Sequence, residues 1–333
     1  ITKNNDYGTT ILEGIRNYVG EELNVNYAEG CGITSLSKDG FDEAIRLAVE
    51  SDVVVLVLGG TSVIYSGIGW GDPNSKEVNT CGEGYDRNEL NFPGVQPELL
   101  RQIAALGKPV VLVMLNGRPY TIGDEITKVE AVVEAWYPGE KGGDAVARIL
   151  FGEVNPSGRL SVSFPKTTGH IPVYANYKPS GKGYYHHRGT PEKPGRDYVF
   201  SSPDPLFCLG YGLSYTTFEY TDIHVDNCLN DGGDRVDVHC RIKNTGCRAG
   251  AEVVQLYVRD LVSSVTTPVK ALKSFCKVFL QPGEEQVVKL KIDKEDLMLW
   301  NVAMQRVLEP GDFEVYIGAS SEDIRLKGSF TVN

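Results

Sequence analysis

The sequence predicts an α/β sandwich domain, a mostly parallel sheet with helices on both faces, followed by an all-β sandwich. Two observations carry that prediction. Through residue 164, apolar strand-like runs alternate with stretches of helical periodicity, the pattern of strands joined by crossover helices. From Thr216 onward, apolar residues recur at every second position in short runs separated by turn residues.

Each element follows from its own residues. Residues 10–19 place Ile11, Leu12, Ile15 and Val19 on one helical face, and residues 24–27 read as a strand. Gly30–Gly32 reads as a turn. Residues 41–51 repeat Phe41, Ala44, Ile45, Leu47 and Ala48 at helical spacing. Residues 52–59 form a continuous β-branched run, expected to be a strand buried on both faces. A helix is expected over 97–106, strands over 108–115 and 129–136, a helix over 142–151 and a short strand over 160–164. Residues 165–211 are rich in Pro, Gly, Tyr and Lys with little periodicity and read as an ordered connector. Alternating runs at 236–242, 252–258, 286–292 and 313–317 then predict antiparallel strands, with turn signals at Asn244-Thr245-Gly246, Pro282-Gly283 and Pro310-Gly311. The resulting division is a domain over 1–165, a connector over 166–212 and a second domain over 213–333.

Bulk composition narrows the partners. The 333 residues carry a net charge of −11 and 41% hydrophobic residues. That acidity disfavours nucleic acid and anionic membranes, whose recognition needs a basic face, and suits a neutral substrate. No apolar run approaches membrane-spanning length. The seven cysteines include no C-x-x-C pair, which argues against structural zinc. Free thiols are expected, with one bridge among Cys228, Cys240 and Cys247 left open. A start at Ile1 suggests a processed product or an excerpt.

Chemistry concentrates in one place. A polar, glycine-rich loop over 65–92 follows the carboxyl end of the 52–59 strand, where open α/β sheets bind ligands. It contains Gly82-Glu83-Gly84-Tyr85-Asp86-Arg87. Glycines on both sides of Glu83 allow unusual backbone angles and close approach to a ligand. The hexapeptide alone fits both a proton donor and an exposed turn with an ordinary carboxylate. Glu77 and Glu89 are alternative acids in the same loop; Glu77 lacks the glycine flanks and Glu89 approaches a helix. Asp86 and Arg87 fit an orienting ion pair or a hold on the ligand. Tyr65 and Trp70 are candidates for stacking on a ligand, with core packing as the alternative. Trp136-Tyr137 reads as the structural end of a strand, and Gly142-Gly143 as close packing rather than a phosphate cradle, since no Walker lysine follows. His186-His187 lacks a carboxylate at ligand spacing, so neither metal nor cofactor is expected.

An ordered set of motifs resembles glycoside hydrolase family 3, in its bacterial β-glucosidase and β-xylosidase branch. It comprises Leu12-Glu13-Gly14-Ile15, Gly82–Arg87 with Pro93-Gly94 and Gln96, residues 107–113 with Asn116-Gly117-Arg118-Pro119, and residues 136–143. It continues through Leu150-Phe151-Gly152, residues 155–159, Ile171–Tyr174, residues 210–216 and residues 267–273. The resemblance implies an α/β sandwich followed by a fibronectin type III-like domain. It implies retaining exo-hydrolysis of terminal non-reducing β-linked sugars, with Glu83 as general acid/base. In such chemistry two carboxylates lie roughly 5 Å apart, one attacking the anomeric carbon and the other protonating the leaving oxygen. The family's nucleophile is an aspartate in a Ser-Asp-Trp context of an N-terminal barrel. Here the Ser-Asp pair Ser51-Asp52 opens a strand instead, so the nucleophile is expected outside this chain. The implied partners are a β-linked oligosaccharide or glycoside and a barrel half on a separate or cleaved chain. A β-glucosidase is favoured; a β-xylosidase, a phosphorylase-like variant and a non-catalytic carbohydrate-binding or scaffold protein are the alternatives. Localisation stays open between periplasmic or secreted, by resemblance, and cytoplasmic.

Overall fold

The computed structural model describes residues 8–62, 79–82, 84–179, 192–193, 198 and 201–333. Two units emerge, one of residues 1–154 with 165–171, the other of 155–164 with 172–333. The strand and helix order bears out the α/β region followed by an antiparallel sandwich.

The first unit is built around β2 (Val110–Leu115), whose Val110, Leu112, Val113 and Met114 are buried. It pairs in parallel with β1 (Val54–Gly59) on one side and β3 (Ala131–Glu134) on the other, in the order β1-β2-β3. Alternate residues of β2 point to opposite faces. On one face, α2 (Phe41–Glu50) and α3 (Gln96–Ala104) bring Phe41, Ala48, Leu99 and Ile103 against Val110. On the other, α1 (Ile11–Val19) and α4 (Gly142–Leu150) bring Ile11 and Val146 against Val113. Helix α1 starts at a capping box: Thr10 Oγ1 accepts from the Glu13 amide at 3.1 Å, and Glu13 Oε2 accepts from the Thr10 amide at 2.8 Å.

Three local expectations are corrected. Strand β1 lies at the sheet edge among the described residues and is not buried on both faces; Val57 is 40% exposed. A β-branched run measures apolarity, which an edge strand and a central strand share. Residues 24–27 form no strand, and Leu23 and Tyr27 both face solvent. Alternation without an edge to pair with does not make a sheet. Residues 160–164 meet 206–211 through scattered backbone bonds and one antiparallel bridge, Phe164 to Phe207. Pro165 and Pro205 flank that bridge without amide hydrogens, so no regular ladder extends there.

The second unit packs two antiparallel sheets. One holds β4 (Phe218–Asn227), β5 (Arg235–Asn244) and β8 (Glu285–Asp293). The other holds β6 (Gly250–Asp260), β7 (Ala271–Leu280), β11 (Gly311–Gly318) and β12 (Ile324–Val332), in the order β12-β11-β6-β7. Between β8 and β11 come a short helix, α5 (Lys294–Leu297), and the hairpin of β9 (Leu299–Trp300) and β10 (Arg306–Val307). The core is the alternate set Val236, Val238, Cys240 and Ile242 facing Val254, Leu256, Val315 and Ile317. All seven cysteines are free thiols; Cys81, Cys208 and Cys240 are buried and Cys247 is exposed. No helix among the described residues is long and apolar enough to cross a membrane.

Candidate active site

The carboxyl ends of β1, β2 and β3 converge under the stems of the glycine-rich loop. Beyond β1, the Gly59 amide donates to Gln96 Oε1 at 2.8 Å, and Gln96 Nε2 donates back to the Gly59 carbonyl at 2.8 Å. Gln96 is buried at the start of α3, and its amide also reaches the Ile33 carbonyl at 2.7 Å. One residue thereby fixes where the chain leaves the sheet. The two loop stems are then clipped together: the Thr80 amide donates to the Thr61 carbonyl, and the Thr61 amide to Thr80 Oγ1, both at 2.9 Å. At Gly60 a Cβ would lie 2.1 Å from the Tyr120 hydroxyl, so only glycine passes there.

Glu83, the sequence-derived acid/base, lies outside the described residues, as do Tyr65, Trp70, Glu77, His186 and His187. Its flanks are described. Gly82 has φ +118 and Gly84 φ +79, both in the region that favours glycine. The Tyr85 amide donates to the Gly82 carbonyl at 3.2 Å. Asp86 is exposed. Arg87 turns away from it: Nη2 donates to the Asn91 carbonyl at 2.6 Å, and the guanidinium lies 5.3 Å from the Tyr120 ring centroid. Its Nη1 is buried with no hydrogen-bond partner among the described residues. Glu89 is exposed and accepts from Asn91 Nδ2 at 3.2 Å.

A further carboxyl was missed by sequence reasoning. Glu134 ends β3, with Oε1 accepting from the Trp136 amide at 3.0 Å and Oε2 from Asn116 Nδ2 at 3.2 Å. Burial pushes its pKa up to about 7, against the two hydrogen bonds, which act to lower it. The signal was present: a carboxylate closing an apolar run at the carboxyl end of a strand. Asn116 Nδ2 also donates to the Arg118 carbonyl at 2.9 Å, and Arg118 Nη2 donates to the Tyr85 carbonyl at 3.2 Å. Trp136 adopts φ +51, uncommon for a bulky residue, and delivers Tyr137 so that its hydroxyl lies 2.9 Å from Cys81 Sγ. Burial, then the Cys81 hydrogen bond, raise the Tyr137 phenol pKa. No group of three or more His, Cys, Asp or Glu among the described residues could hold a metal ion. The described residues thus bring Glu134, Asn116, Arg118, Tyr137 and Cys81 into one hydrogen-bonded cluster at the carboxyl ends of the parallel strands.

Residues 1–215 match the Glycosyl hydrolase family 3 C-terminal domain, and residues 252–321 match the Fibronectin type III-like domain. The chain is 41% identical over 325 residues to a β-xylosidase of Formosa agariphila, covering 96% of this chain and 41% of that protein. It is 36% identical to a periplasmic β-glucosidase of Salmonella typhimurium, covering 96% of this chain and 42% of the relative. Among solved structures, a β-glucosidase from Listeria innocua in complex with glucose superposes with a TM-score of 0.82 at 33% identity, over 98% of this chain and 42% of that one. The chain thus spans about two fifths of the length of the curated relatives it matches.

Proposed function

This chain belongs to glycoside hydrolase family 3, and we propose that it is the acid/base-bearing part of a retaining exo-β-glycosidase. The observation that carries the reading is the pair of glycines flanking position 83: Gly82 and Gly84 both take positive φ, on the loop that follows the parallel strand β1. Such flanks let a carboxylate reach out and pivot at a substrate. Relatives named β-glucosidase and β-xylosidase supply the reaction class. Glu83 protonates the departing sugar oxygen, then removes a proton from the incoming water. The attacking carboxylate is an aspartate of a barrel domain outside these residues. Arg87, whose buried Nη1 has no partner among the described residues, and Asp86 hold substrate hydroxyls near the turn, and Tyr65 and Trp70 offer ring faces.

The substrate is a terminal, non-reducing β-linked glucoside. A second reading, a β-xyloside, is favoured by the 41% identity to a β-xylosidase. The test combines this chain with a barrel half on a separate polypeptide and assays aryl β-glucosides and β-xylosides. Activity is expected from the pair and not from this chain alone. Glu83→Ala should lose turnover of substrates with poor leaving groups, keep more on activated ones, and recover partly with azide. Efficient hydrolysis by the isolated chain, or an intact rate in Glu83→Ala, overturns the reading. Sugar affinity without turnover in the reconstituted pair would instead mark a carbohydrate-binding protein.

A further inference from the structure

We propose that Glu134 is the positioning residue of the acid/base turn, a single half-buried carboxyl to which both stems of that turn are tied. The role rests on the reading of Glu83 as acid/base; the anchoring itself does not.

Two arms leave the carboxyl. Through Oε2, Glu134 holds Asn116 Nδ2 at 3.2 Å, and that amide also fixes the Arg118 carbonyl at 2.9 Å. Arg118 reaches the Tyr85 carbonyl at 3.2 Å, and the Tyr85 amide closes on Gly82 at 3.2 Å. This arm ends on the carboxyl-terminal stem. Through Oε1, Glu134 holds the Trp136 amide at 3.0 Å. That bond spans two residues and supports the left-handed backbone at Trp136, φ +51, which would otherwise be disfavoured. The conformation sets the direction of Tyr137, whose hydroxyl meets Cys81 at 2.9 Å. Cys81 immediately precedes Gly82, so this arm ends on the amino-terminal stem.

A carboxylate suits the position because both of its neighbours are donors, the Trp136 N–H and the Asn116 amide nitrogen. A glutamine offers one acceptor and one donor. Its NH₂ group would face a donor, unless the Asn116 amide turned over to present its Oδ1. That oxygen is buried and lacks a partner among the described residues. Turning it over would satisfy the glutamine and release the Arg118 carbonyl, cutting the first arm. Residues of a proton-transfer loop must hold position closely, since a misplacement of about 1 Å from a remote change can cost a hundredfold in rate.

The experiment reads the loop and the chemistry separately. Alkylation of Cys81 by iodoacetamide, mapped by mass spectrometry to separate it from the other six thiols, is measured in the chain itself. Glu130→Gln is the comparison: Glu130 Oε2 accepts the Val110 amide at 2.5 Å beside the opposite end of β3, so it perturbs the same sheet without touching either arm. Glu134→Gln should alkylate at Cys81 roughly tenfold faster than parent or Glu130→Gln, the effect of losing about one buried hydrogen bond. If Glu134→Gln folds poorly, Glu134→Asp keeps the charge and withdraws the oxygens by one methylene, with the same expectation. Equal alkylation rates in Glu134 and Glu130 variants overturn the proposal. In the pair with the barrel half, Glu134→Gln should lower kcat more for poor than for activated leaving groups; a uniform loss overturns the positioning role. Faster Cys81 alkylation alongside an intact rate in Glu83→Ala would remove the acid/base reading and leave the anchoring in place.

Discussion

The thiol of Cys81 lies 2.9 Å from the phenol oxygen of Tyr137, joining the stem of the glycine-rich loop to the turn that follows β3. Gly117, at the end of β2, makes the approach possible. A Cβ there would sit 2.7 Å from Tyr137 Cε2 and 3.0 Å from Cys81 Sγ. The loop stem at Cys81 and the segments after β2 and β3 thus share one crowded point.

Gly117→Ala should therefore separate the pair. Neither the ring nor the thiol is the free end of a long side chain, so the added methyl forces a shift. The expected loss is about 1–3 kcal/mol, in the range for overpacking. Tyr137→Phe removes the hydrogen bond and keeps the ring, and should cost about 1 kcal/mol. Urea midpoints of the two variants give the comparison; equal stability of Gly117→Ala and parent would show that the contact yields freely.

Glu134 sets a pH dependence whose sign follows from burial. Its pKa rises from the ordinary carboxylate range to about 7 because burial disfavours the charged form. The folded chain then binds more protons than the unfolded chain between roughly pH 4.5 and 7. Stability from this group is highest below that window and falls as pH rises through it, by about 3 kcal/mol in all. Glu134→Gln does not titrate. The stability of the parent relative to Glu134→Gln should therefore decline between pH 5 and pH 8, measured by urea unfolding at each pH. A constant difference would mean the carboxyl ionises like an exposed one.

Much of this was legible in the sequence, and the parts that were not share a cause. Apolar period and run length located β2, α2, α4 and the sandwich strands β5, β6, β8 and β11, because each buries a face set by its own residues; β4, β7 and β12 were not picked out. Glycines on both sides of Glu83 announced the turn, and Gly82 and Gly84 do take positive φ. What escaped depends on neighbours distant in sequence. Whether residues 54–59 form an edge or a centre depends on which strand pairs with them, and Val57 carries no mark of it. Glu134 looked like any strand-ending carboxylate; its environment comes from Asn116 and Trp136, which the fold brings to it. Arg87 invited pairing with adjacent Asp86 but turns to Asn91 and Tyr120 instead.

Gly143 was expected to serve close packing, and the structure gives the reason. A Cβ on Gly143 would lie 2.0 Å from the Thr10 carbonyl oxygen, and one on Gly14 would lie 2.2 Å from the Gly143 carbonyl oxygen. Helices α1 and α4 cross with backbone against backbone, and the Gly143 amide donates to the Thr9 carbonyl at 3.1 Å. Backbone atoms cannot rotate aside as a side chain can. Gly143→Ala should cost at least about 2 kcal/mol by forcing the helices apart, despite alanine's better helix propensity. Thermal unfolding of Gly143→Ala beside Gly158→Ala, whose Cβ would meet open space, makes the contrast. Similar midpoints would contradict the close crossing.

Asn244 organises the turn between β5 and β6 in the second unit. It is fully buried and uses its amide completely. Oδ1 accepts from Thr216 Oγ1 at 2.7 Å and from the Gly246 amide at 3.1 Å; Nδ2 donates to the Arg248 carbonyl at 2.8 Å and the Leu280 carbonyl at 3.0 Å. These bonds gather the start of β4, the β5–β6 turn and the end of β7. Asn244→Ala would strand four polar partners away from water, each unmet group costing about 1–3 kcal/mol where it stays dry. Water entering the space would recover part of that, so a net loss of about 3–5 kcal/mol is expected. Asn244→Asp keeps the shape but meets the Arg248 and Leu280 carbonyls with an acceptor, and should be as damaging at neutral pH and milder once protonated in acid. Urea unfolding of both variants at pH 4 and pH 7 checks this, and an Asn244→Asp variant as stable as parent at pH 7 would show that the two carbonyl contacts contribute nothing.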